Sequence, residues 1–342
     1  MTRSVSWVIG LGLMAAVAPR LADAACTAQV VNNTFVVNGC DLVVINGNIL
    51  VQNGTGSTAT TNGKGNIIVG YNEQRGSGND RRTGSHNVIV GAKNNFTSYG
   101  GVVAGYQNES AATYAAVNGG SENTASGPYA AVAGGRQNVA SGDYSSITGG
   151  QYGQAKGGSS MVLGGWSNEA QTNFATVAGG YHNIATSPTP NDKYSTSYAT
   201  VSGGSSNYAS GYYSSISGGT SNTASGSFAS VTGGASNQAA AYESTIAGGL
   251  GNATGTVTPD GLPILNYTAQ GATVCGGSDN RASGQVATVS SGYANEASGF
   301  AATVSGGAGN DATYTYATVS GGNSRTASGL NDWVAGSLFQ DQ

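Results

Sequence analysis

Charge is what this sequence has least of: 12 basic and 16 acidic residues among 342, or 8%, about a third of the usual share in a globular domain. A net charge of -4 provides no basic footprint for nucleic acid. Beyond the first 20 residues there is no apolar run long enough to span a bilayer as a helix, so the mature chain is expected to have no transmembrane segment. The 2 histidines, His86 and His182, stand far apart without Cys or acidic neighbours at ligand spacing, which argues against a metal centre. Ser is abundant, but no Gly-x-Ser-x-Gly joins a strand to a helix and no His stands near one. No enzyme and no cofactor are expected. The stretch GGAGND, Gly306 to Asp311, imitates the start of a calcium-binding nonapeptide, yet no nine-residue period follows it. The 57 glycines raise disorder as an alternative. Against it stand 38% apolar residues and a regularly recurring Val or Ile.

The N-terminus reads as a leader. Arg3 precedes an apolar stretch from Val5 to Val17, and Ala22-Asp23-Ala24 has the small-x-small form of a cleavage site, so residues 1–24 are expected to be removed on export. Residues 25–62 are then expected to form a β cap, closed by a disulfide between Cys26 and Cys40 in an oxidising compartment. Cys275 is left over, within ATVCGG, where other copies have Ser, Ala or Thr. It reads as a small neutral residue, with a link between chains as the sharper alternative.

What the sequence has in quantity is repetition. From Gly119–Gly120 a glycine pair recurs every 15 residues to Gly179–Gly180, resumes from Gly203–Gly204 to Gly248–Gly249, and again from Gly276–Gly277 to Gly321–Gly322, with Ser291–Gly292 as a weakened copy. Weaker copies lie at Gly70, Gly91 and Gly105. Three residues before the second Gly comes a β-branched aliphatic, from Ile67, Val88 and Val102 through Val117 to Val334. An Asn follows by three, from Asn94 to Asn310, with Gly153 and Arg325 among the exceptions. Insertions interrupt the pattern near 73–86, 187–197 and 255–271.

In Tyr-Ala-Thr-Val-Ser, residues alternate as in a short strand, with Val and Ala on one face and Tyr and Thr on the other. The Gly pair supplies positive φ for a turn, Asn-x-Ala makes a second short strand, and Ser-Gly turns the chain again. Two strands and two turns per 15 residues predict an all-β fold, a parallel β-roll or β-solenoid over residues 63–342. Like residues then stack on like, and about seventeen coils at about 4.8 Å each make a rod of about 80 Å. One Val or Ile and a few Ala per coil bury little against the cost of ordering 15 residues, so a homo-oligomer is expected.

The units TASGSFASVTGGASNQA and YASGYYSSISGGTSNTASG resemble the head repeats of YadA-like trimeric autotransporter adhesins, a likeness that covers about residues 63–342. The resemblance implies a left-handed roll, a homotrimer, and a place outside a Gram-negative bacterium, secreted or on its outer surface. Two departures stand out. The period here is 15 with a doubled Gly, where the family mostly steps by 14 with Ser-Val-Ala-Ile-Gly, so no ligand contact carries over. The C-terminal NDWVAGSLFQDQ has neither heptad stalk nor anchor strands, and a head without its own anchor is expected.

Two surface features are candidates for function. An aromatic residue three before the Val or Ile recurs at Tyr99, Tyr114, Tyr129, Tyr144, Phe174, Tyr198, Tyr213, Phe228 and Tyr316. It forms either a stripe for glycans and extended protein ligands or a seam between protomers. The insertions are expected at the second turn, along one edge, where a solenoid displays specificity. Adhesion to host, matrix or neighbouring cells is the expected function. The alternatives are a structural spike or matrix fibre without a receptor, and ice or mineral binding through a flat Thr face.

Overall fold

The computed structural model describes residues 27–31, 34–38, 41–76, 78–187, 197–255 and 267–336. The expected leader, the Cys26–Cys40 pair and the middle of the second and third insertions lie outside the described residues. The chain divides into two compact units, Met1–Leu50 and Val51–Gln342. In the first, Thr27–Val31 and Thr34–Asn38 pair antiparallel, with Val30 opposite Phe35. Residues 51–62 fall in the second unit, where the Asn62 amide N–H donates to Ser85 Oγ at 3.0 Å and the Asn53 N–H to His86 Nε2 at 3.3 Å.

The second unit is a parallel β-solenoid. Each coil contributes one strand to each of two sheets, in register with the coils before and after: Val201 lies beside Ile216 and Ile216 beside Val231, while Ala209, Ala224 and Ala239 form the matching column opposite. The first sheet runs through seventeen strands from Ile67–Val69 to Trp333–Val334, and the second has 15, from Asn95–Phe96 to Thr326–Ala327. A third column of single bridges follows the Gly pair, as at Ser205, Thr220 and Ala235. The ladders pass across both later insertions, since Thr176 pairs with Thr200 and Thr245 with Thr273.

Alternation sets what lies inside. In one coil Ala199, Val201, Asn207 and Ala209 are buried, while Thr200 and Tyr198 are half-exposed and Ser202 is exposed. The buried Asn is admitted because it satisfies backbone groups that the turn leaves over. Asn222 Nδ2 donates to the carbonyls of Gly218 and Gly234, both at 3.0 Å, and its Oδ1 accepts the Asn237 N–H at 3.0 Å. Repeated from coil to coil, these bonds make an amide ladder within the roll, interrupted at Gly153.

The first copies differ from expectation. Ile67, Val88 and Val102, expected in the interior column, point outward and are 48%, 37% and 37% exposed, whereas Ile89 and Val103 are buried. Register gives the reason. Val102 pairs with Ala116 and Val103 with Val117, so these coils have one residue fewer between the core position and the turn. Val88 pairs with Val102, a step of 14, and each of these strands, Val88–Ala92 and Val102–Tyr106, runs unbroken for 5 residues. The doubled Gly of later coils adds the fifteenth residue and splits that strand into a two-residue strand and a bridge.

The second glycine of each pair has a positive φ, as at Gly219 with +89°, whereas the first has one only at Gly321. A Cβ at Gly219 would strike the carbonyl oxygen of Gly234 on the next coil, while a Cβ at Gly218 meets open space. Ser291 already occupies the first position in one copy. Gly218→Ala is therefore expected to change stability by less than about 0.5 kcal/mol, and Gly219→Ala to cost about 2 kcal/mol or more through strain and overlap, as read by urea titration.

Candidate functional site

The aromatic column stands at a turn rather than on a strand face. Tyr213 follows Gly211 and Tyr212, with the Ser214 N–H donating to the Gly211 carbonyl at 3.0 Å, and Tyr213 itself has φ of +56°. The same left-handed geometry holds at Tyr114, Tyr129, Tyr144, Phe174, Tyr198, Phe228 and Tyr316. That conformation costs a side-chain-bearing residue about 1 kcal/mol relative to Gly, yet this chain repeatedly places rings there. Stacking accounts for the choice. Tyr129 and Tyr144 are 4.9 Å apart and parallel to 1°, and Phe174, Tyr198, Tyr213 and Phe228 continue at 4.9, 4.6 and 5.3 Å. Tyr99 meets Tyr114 edge-on, and Tyr212 stands edge-on to Tyr213. A hydrogen bond with Tyr212, then burial, push the Tyr213 phenol above its ordinary range. Tyr316 is set apart and meets Phe300 instead.

Between the two stacks one coil has no ring. Ser159 takes the left-handed position with φ of +54°, and Gly158 precedes it. The result is a cavity of about 330 Å³ lined by Tyr144, Phe174, Asp143, Lys156, Ser159 and Asn173, among others. Asn173 Oδ1 accepts the Gly158 N–H at 2.6 Å, and the Lys156 ammonium pairs with Glu169 on the following coil. Burial lowers the Lys156 pKa from its ordinary value.

The first insertion lies back on the roll instead of standing off the edge. Arg75 reaches across the coils: Nε donates to the Lys93 carbonyl at 2.9 Å, and Nη2 to those of Gln107 and Asn108 at 2.5 and 2.7 Å. Glu109, outward-facing by register but buried, explains this, because Arg75 and Arg81 meet its carboxylate at 3.7 and 3.1 Å. Burial lowers the Arg75 guanidinium from its usual value, against the opposing pull of Glu109. The equal spacing of repeats concealed this cluster; three arginines in one insertion were its available signal.

A second aromatic group, also not foreseen, lies on the Gly-pair edge. Trp166 stacks on Tyr181 at 4.8 Å and 3°, with Tyr152 and His182 edge-on to Trp166. His182 is thus a packing residue here. Asp311 carries a carboxyl raised by burial and by the Glu296 carboxylate one coil earlier. Among the described residues no group of three or more His, Cys, Asp or Glu is placed to hold a metal. No helix among them is long and apolar enough to cross a membrane. Cys275 is exposed and carries a free thiol. Compared with known proteins, the chain matches no family model and no curated relative.

Proposed function

We propose that this chain is a secreted or cell-surface attachment module, without catalytic activity, that assembles as a homotrimer and binds extracellular matrix protein or glycan along its aromatic edge. The observation that carries this reading is the exposed column of stacked rings in a backbone conformation that favours Gly. Tyr144 is 62% exposed, and a ring in contact with its neighbours is rigid and loses little freedom on binding. The stack itself makes up much of the backbone cost, so the column also serves the fold; its solvent-facing edges are what remain for a ligand.

Assembly is supported by the outward apolar patch of the first coils, Ile67, Val69, Val88, Val90 and Val102, on the outer face of the first sheet. A protomer seam there leaves the turn column open. The 14-residue step of these same coils matches the period of the YadA-like heads more closely than the later repeat does. A left-handed sense and a place on the outer surface of a Gram-negative bacterium belong to the same proposal. A structural fibre is the second reading, favoured by the uninterrupted ladders of the roll. Ice or mineral binding has less behind it, because the outward column of the first sheet mixes Ala131, Ser146, Met161 and Thr176, and beyond the adjacent pair Thr176 and Thr200 a run of Thr extends only from Thr245 to Thr318.

Beads carrying the purified chain test attachment on matrix-coated, glycan-coated and bare surfaces. Saturable attachment to a coated surface is expected, with a drop of about tenfold or more when Tyr198, Tyr213 and Phe228 are all replaced by Ser. Equal attachment to bare plastic, with end-to-end filaments in micrographs, would favour the fibre. Light scattering gives the mass, and a stably folded monomer at micromolar concentration would overturn the trimer.

A further inference from the structure

We propose that the gap at Ser159 is a binding slot for one pyranose ring of a glycan, held between the faces of Tyr144 and Phe174. This deepens the attachment reading and rests on it for its biological purpose, though not for its chemistry.

In the nine-member series only this coil lacks a ring while having one on the coil before and one on the coil after. Adjacent stacked rings of the column are centred 4.6 to 5.3 Å apart. Two coil steps therefore set Tyr144 and Phe174 about 10 Å apart. The column's own rings keep their spacing because the backbone holds them at the coil pitch. A free flat ring has no such tether and closes on one wall at about 3.5 Å, losing contact with the other. A pyranose chair is thicker, since C–H bonds project from both of its faces, and those weakly positive hydrogens suit the negative faces of two aromatic walls at once.

The rim agrees with that choice. Asp143 supplies an acceptor, the Lys156 ammonium a donor, Ser159 a hydroxyl and Asn173 an amide, all lining the cavity. Such a ring of hydrogen-bonding groups fits equatorial hydroxyls projecting from the edge of a sugar. It gives the bare edge of a hydrocarbon ring nothing to bond. A small apolar-walled slot with a few polar groups at its margin is the usual form of a ligand site.

The variant that decides the matter is Ser159→Tyr. It fills the slot with the side chain the column uses elsewhere, in a backbone conformation already left-handed, so the roll is expected to fold and melt no lower than the parent. Saturation-transfer NMR on the full mature chain then compares methyl β-glucopyranoside, methyl β-galactopyranoside and N-acetylglucosamine with phenol and indole as flat controls. At least one sugar is expected to bind, with its ring protons nearest the protein, and to weaken about tenfold or more in Ser159→Tyr. Tyr144→Ala, which removes one wall, is expected to weaken it as well and keeps the test open should the Tyr variant fold poorly. No sugar signal on the parent chain, a signal unchanged in both variants, or stronger binding of phenol and indole than of any sugar would each overturn the slot. If sugars bind but parent beads fail to attach to any coated surface, the attachment reading falls and the slot stands.

Discussion

Asn222→Asp is expected to lower the stability of the roll by about 3 kcal/mol or more at neutral pH, although the two side chains differ by little more than an NH2 group. The buried amide donates to two carbonyls, those of Gly218 and Gly234, and accepts the backbone N–H and an Nδ2–H of Asn237. A carboxylate keeps the acceptor and turns both donors into acceptors facing acceptors. Protonation restores one donor, so the folded state holds this acid in its neutral form and its pKa is raised. The penalty is accordingly small below the ordinary carboxylate range and grows as pH rises through it, which equilibrium urea unfolding at acid and neutral pH measures. Asn222→Gly should cost less, because it leaves orphaned groups without adding a charge. A natural gap of that kind is present at Gly153, whose N–H still donates to Asn138 Oδ1 at 2.8 Å. Equal stability of Asn222→Asp and the parent at neutral pH would show that the amide ladder does not hold the coils together.

Ile216→Asp is expected to cost about 3 to 5 kcal/mol, the range for an uncompensated buried charge. Ile216 is 1% exposed and lies in register between Val201 and Val231, with only apolar side chains in its column. Its neighbour three residues earlier behaves differently. Tyr213 stacks on Tyr198 and Phe228 at the turn and is 44% exposed, so Tyr213→Ser should cost only about 1 to 2 kcal/mol and leave the coil formed. Hydrogen exchange separates the two outcomes: faster exchange is expected through the coils around Ile216 in the first variant and near the turn alone in the second. Unchanged melting of Ile216→Asp would mean that inside and outside have been exchanged.

Much of the fold was legible because each coil obeys one short rule. Where the step is 15, a Val or Ile three residues before the second Gly is an interior residue, since strand alternation and turn length both repeat. The rule failed at Val88 and Val102 for a local reason: a single Gly shortens the turn by one residue, and in a strand one residue reverses the face. Alternation also separated Tyr213 from Ser214 and Ile216, but it did not place the ring at a turn. The left-handed backbone there arises from how Gly211 and Ser214 close the turn and from the carbonyl of Ser197, which accepts the Tyr213 N–H at 2.7 Å. The gap at Ser159 was visible as an interruption in a series. Its meaning as a slot was not, because that depends on two rings 30 residues apart in sequence standing two coil steps apart in space.

Repetition alone determined that the chain forms a parallel all-β roll, with Val, Ile and Ala in register, since equal spacing with alternation has few other compact solutions. Stacking decided the rest. The buried Asn residues became a ladder only when each coil placed a carbonyl and an N–H of its neighbours within 3.0 Å of the amide. Glu109 became buried only when Arg75 and Arg81 folded back over it. These contacts join residues that no local preference brings together, and their strength comes from excluding water, which a coil achieves only with another coil above and below it.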